Sequence, residues 1–140
     1  MKKLTLTIGV FLLMAAYAIT DPYYHSLEQT ATNLGISGVY TSSVYDVTTY
    51  KTLDVNVTAD QDSASNGLKI NFVRVIGDCS SFTPGASNMD YTANSTGWSY
   101  SASTKDSYSA SVRGNCAWVT YTNGVTGQGS FELTIFGTLK

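Results

Sequence analysis

The chain has 140 residues, a net charge of −2 and ten tyrosines, and only 13% of its residues are charged. That length suits one domain with a single core, and the weak net acidity without a basic patch excludes a nucleic-acid partner held by phosphate contacts. A surface vocabulary of Ser, Thr, Asn, Gly and Tyr points to an extracellular β protein.

Residues 1–18 open with Lys2 and Lys3 and lead an apolar run, residues 4–19, that admits two readings. The basic start, apolar centre and small-x-small end Ala16-Tyr17-Ala18 fit an export signal cut before Ile19, and the run is shorter than the ~20 residues of a free transmembrane helix. On the second reading the segment is retained as a helix. Leu4, Ile8, Phe11, Leu12 and Ala15 then form an apolar surface that packs against copies of itself in a filament core, or rests in a membrane before assembly.

Residues 19–35 read as a short amphipathic helix continuing through Pro22. Asp21 can cap it, Pro22 costs nothing in a first turn, and Tyr24, Leu27, Ala31 and Leu34 fall along one helical stripe that Gly35 ends.

Residues 36–140 read as an antiparallel β-sandwich. Residues 39–50 are rich in β-branched residues and tyrosine and supply one or two strands. Leu53, Val55 and Val57 alternate with Asp54, Asn56 and Thr58; Leu68, Ile70 and Phe72 alternate with Lys69 and Asn71 before the run turns apolar through Val73, Val75 and Ile76, as in a central strand covered on both faces. Residues 98–103 and 106–112 are expected to form a hairpin across Thr104-Lys105. Arg113-Gly114-Asn115 turns the chain into a strand from Cys116, with Trp118 on the face of Cys116, and Phe131, Leu133 and Ile135 mark the last strand. Cys79 and Cys116 are the only cysteines. An oxidising compartment favours a bridge closing a 37-residue loop, worth on the order of 3–4 kcal/mol; two buried free thiols are the other reading.

An apolar N-terminal helix (residues 4–19), a proline near its midpoint (Pro22), an amphipathic continuation (residues 24–34) and a β-rich head carrying Cys79 and Cys116 follow one another here. In that order they resemble a type IV pilin or a related pilin-like filament subunit. The resemblance implies a pilin-like, or Ig-like, β head and self-assembly into an extracellular filament.

No catalytic constellation stands out. His25 is the single histidine, with no partner visible in sequence, and no Gly-x-Ser-x-Gly elbow is present. Asp60, Asp62, Ser63, Ser65 and Asn66 imitate a calcium loop, but Ala64 and Ser65 replace an oxygen ligand and the motif glycine, so a polar turn closed by Asn66-Gly67 is expected and no metal. Asn56 and Asn94 each begin an Asn-x-Ser/Thr glycosylation pattern, Asn94 within a Gly/Ser/Asn-rich stretch. Trp98, Tyr100, Tyr108, Trp118 and Tyr121 could form a sugar-stacking face or fill the sandwich. The expectation is therefore a non-enzymatic structural subunit of an extracellular filament or surface layer, without cofactor, its partner being copies of itself. A secreted carbohydrate- or surface-binding module is the alternative.

Overall fold

The computed structural model describes residues 24–84, 91–102 and 104–140. Leu4, Ile8, Phe11, Leu12, Ala15 and Pro22, and with them both readings of the apolar run, lie outside the described residues. Nine strands follow in order: β1 Tyr24–Ala31, β2 Val39–Thr41, β3 Tyr45–Asp46, β4 Tyr50–Ala59, β5 Ser63–Val73, β6 Tyr91–Trp98, β7 Lys105–Ser111, β8 Cys116–Asn123 and β9 Phe131–Leu139.

They form two antiparallel sheets. The first has the order β1-β9-β4-β7; the second has the order β2-β8-β5-β6, with β3 also pairing β8. β2 and β3 meet the same partner, at Thr120–Thr122 and at Cys116–Ala117, so they are two pieces of one interrupted edge strand. Counted that way, eight strands in two four-stranded sheets follow the jelly-roll order. The immunoglobulin-like order is corrected. So is the hairpin of residues 98–112: β6 pairs β5 in one sheet and β7 pairs β4 in the other, with residues 99–102 leaving one sheet for the other.

The crossing is held by buried and part-buried hydrogen bonds. The Tyr100 hydroxyl accepts from the Ala59 N–H at 2.9 Å and reaches the carbonyls of Ala59 and Thr104. Ser63 and Tyr100 exchange bonds, Ser63 Oγ accepting from the Tyr100 N–H at 2.9 Å and the Tyr100 carbonyl from the Ser63 N–H at 3.1 Å. Alternation in sequence could not reveal this, because it reports which face of a strand is buried and not which sheet the strand joins.

The core lies between the sheets. Leu53, Val55 and Val57 of β4 and Leu133 and Ile135 of β9 meet Leu68, Ile70 and Phe72 of β5 and Val119 and Tyr121 of β8, all essentially inaccessible. A second, smaller cluster sits on the outer face of the β8–β5 sheet. There Val73, Cys116 and Trp118 are covered by residues after β5, with Cys79 and Phe82 folded back over them and Val75 beside them. Cys79 and Cys116 are joined, their Cα atoms 5.5 Å apart. β5 is thus a central strand, but both faces are covered only toward its Asn71–Val73 end; the strand stops at Val73 and Ile76 is exposed beyond it, while the bridge staples a flap to one sheet. Asn115 fastens the same flap, its side chain donating to the Val75 carbonyl at 2.9 Å and accepting from the Val75 N–H at 2.8 Å.

The helix expected over residues 19–35 is corrected where it is described: residues 24–31 are the strand β1, paired with β9 from Tyr24↔Thr138 to Ala31↔Glu132 around a bulge at Leu27. The pilin-like helical continuation over residues 24–34 falls with it. Leu27 and Leu34 still pack against the core, so the apolar positions are used, but the open backbone of β9 takes them as a neighbouring strand.

Candidate functional site

A sandwich of two open sheets leaves four edges, and each edge is a row of backbone donors and acceptors available to another chain. In the second sheet the edges are poor templates. β2 and β3 are three and two residues long, with Ser42 and its neighbours between them. β6 pairs β5 irregularly, jumping from Leu68↔Trp98 to Ile70↔Ala93. Gly97 forms the irregularity at φ +77°, where a Cβ would lie 2.6 Å from the Asn66 carbonyl oxygen; only glycine fits there.

The first sheet ends in two long strands. β7 runs seven residues against β4, Thr52↔Ser111 to Thr58↔Lys105, without a break in register. Its outer side meets no strand among the described residues. Ser107, Ser109 and Ser111 face outward with Asp54, Asn56 and their neighbours, while Ala110 is buried and Tyr108 packs on Trp98 of β6 with ring centroids 5.7 Å apart. β1, at the opposite edge, runs eight residues with its one bulge.

The side of the sandwich formed by β1, β2 and β3 is closed by Glu28. Its carboxylate accepts from the hydroxyls of Tyr40 on β2 and Tyr45 on β3, and from the Ser43 N–H at 3.1 Å. Burial, reinforced by the adjacent Glu28 carboxylate, holds the Tyr45 hydroxyl well above the usual tyrosine range. Burial does the same for Tyr108, aided by Asp106, and raises Tyr121. The helical reading of residues 24–34 hid Glu28, because only a strand carries its side chain across to the second sheet.

The aromatic residues do not assemble into a face. Tyr100, Trp118 and Tyr121 are each 2% exposed or less; Tyr121 packs tilted against Phe131 and Trp118 against Phe82, leaving Trp98 and Tyr108 as a half-buried pair. His25 is exposed on β1 with its ring beside Tyr50. Asp60 accepts from the N–H groups of Gly129 and Ser130, and Asp62 from that of Ala102, so these acids tie loops together. Asn66 stands at φ 54° inside β5 as part of a bulge, not in the turn after β4. Among the described residues no group of three metal-binding side chains converges. Asn56 is exposed on the outer face of the first sheet, beside Ser107 and Thr134; Asn94 lies in β6, a strand where a loop was expected.

No protein-family model matches the chain, and no curated protein matches it. Among solved structures, a chain described as "Bacillus endospore appendages form a novel family of disulfide-linked pili" is 12% identical, with 84% of this chain and 89% of that chain covered at a TM-score of 0.41. A likeness of that degree does not establish a shared fold.

Proposed function

We propose that this chain is a structural subunit that assembles with copies of itself into an extracellular filament or surface layer. One observation carries the reading: the first sheet presents long strands, β7 and β1, at both of its edges, each with an outer side that no described strand covers. Such edges are costly to leave open in a secreted monomer and are ordinarily blunted by charge, proline or interruption. Here β7 is regular and carries serines, β1 keeps eight residues around a single bulge, and the edges of the second sheet are shorter or more irregular. The intramolecular disulfide and the flap it holds make the head a rigid building block suited to an oxidising exterior. The binding-module reading has no comparable support, since three of the five aromatics proposed for a sugar face are buried.

The test is electron microscopy of the exported protein and of a Ser107→Lys, Ser109→Lys variant. Ordered polymers are expected from the native chain and none from the variant, whose thermal unfolding should remain cooperative. A native chain that stays monomeric at high concentration would sink the reading.

A further inference from the structure

Resting on that reading, we infer that β7 of one copy pairs antiparallel with β1 of the next, all copies having the same polarity. The argument is one of strand direction. β1, β9, β4 and β7 are each antiparallel to the neighbour, so the two edges of this four-stranded sheet run in opposite senses. A second copy displaced sideways without inversion therefore brings its β1 alongside β7 in the antiparallel sense, the more stable pairing. The same displacement sets β6 antiparallel to the neighbour's β2 and β3, because β6, β5, β8 and β2 also alternate. Both sheets then continue from copy to copy.

A single self-pairing of one side closes instead of extending. β6 and β7 share one side of the sandwich, as the Trp98–Tyr108 contact shows; β1, β2 and β3 share the other, as the Glu28 contacts show. Joining the β6–β7 side to itself requires a two-fold axis, which ends growth at a dimer. A contact between unlike sides is the one that repeats without limit through a single kind of interface, and β7 with β1 is the long pair it offers. The Leu27 bulge divides β1 into residues 24–26 and 28–31, either of which can meet part of β7. Four strand spacings separate successive copies, a repeat of about 19 Å along the hydrogen-bonding direction.

Cysteine crosslinking between molecules tests this. Ser109→Cys protein is mixed in turn with Tyr24→Cys, Ser26→Cys, Gln29→Cys and Ala31→Cys protein, each at an outward-facing, exposed position of β1, under mild oxidation during assembly. The expected result is that a mixed β7–β1 dimer is the main crosslinked species for at least one pair, and that cryo-electron microscopy shows the ~19 Å repeat. Ser109→Cys protein that crosslinks chiefly to itself overturns the pairing in favour of a two-fold contact. Ordered polymers in which none of the four pairs crosslinks also overturn it while leaving the assembly reading standing. A native chain that forms no polymer defeats both.

Discussion

At the scale of single residues, the buried hydroxyls set the clearest expectations. A tyrosine held above its ordinary pKa of about 10 is stabilised in its neutral form, so its contribution is complete below that value and is lost as pH climbs through the raised one. For Tyr45 and Tyr108 the cause is first burial and then a neighbouring carboxylate. Ultraviolet titration should therefore show Tyr45 and Tyr108 silent near pH ~10 and ionising together with unfolding; their free titration near pH ~10 in folded protein would contradict the packing. Tyr100→Phe leaves the buried Ala59 N–H without the partner it has at 2.9 Å, and a loss of about 1–3 kcal/mol is expected in urea unfolding. Cys116→Ser opens the bridge under which Trp118 and Phe82 are packed. It should cost roughly 2–5 kcal/mol and red-shift tryptophan fluorescence as the flap lifts. An unchanged midpoint would mean that Asn115 and the apolar contacts hold the flap alone.

At the scale of elements, what could be read in the sequence was the set of strands with clean alternation. β4, β5 and β9 lie where Leu53–Val57, Leu68–Phe72 and Phe131–Ile135 place apolar side chains every second residue, β8 follows the Arg113-Gly114-Asn115 turn with apolar residues on both faces, and all four are central. The edges were harder. β1 carries no clean alternation because its bulge shifts the register after Ser26, and the same residues fit a helical stripe equally well. The candidate site is made of edges, so it was the part least visible: whether a strand is open depends on which sheet it joins, and the β6–β7 crossing that decides this is fixed by Tyr100 and Ser63 over distances sequence patterns do not span. Glu28 shows what the strand assignment adds. Its carboxylate joins β1 to both pieces of the opposite edge strand, and hydrogen bonds to a charged group are worth about 1.5–3 kcal/mol. Glu28→Ala should lose that much in denaturant unfolding and raise hydrogen exchange in β1, β2 and β3 while sparing β4 and β5. Uniform loss of protection over both sheets would show that Glu28 supports the whole core.

At the scale of the whole molecule, the proposed assembly has two candidate ways to hold copies together, the apolar run ahead of β1 and the edges of the head, and only the first requires residues 1–18 to be kept. Pairing through backbone groups of β7 and β1 needs only the head, in which no helix of the described residues is long and apolar enough to cross a membrane. A helical filament core needs Leu4, Ile8, Phe11, Leu12 and Ala15 retained, and brings Lys2 and Lys3 with them into an apolar setting where a charge is costly. The head-only route avoids that cost and fits the Ala16-Tyr17-Ala18 end of the run. The exported protein is therefore expected to begin at Ile19, its net charge moving from −2 to −4 as Lys2 and Lys3 leave with no acid. Its polymers should persist at 1 M salt, where charge attraction is screened beyond about 3 Å. Intact-mass measurement of material sheared from the cell surface decides the matter. A mass that includes residues 1–18, together with loss of polymers in Phe11→Asp protein whose head remains folded, would move the site of assembly from the sheet edges to the N-terminal helix.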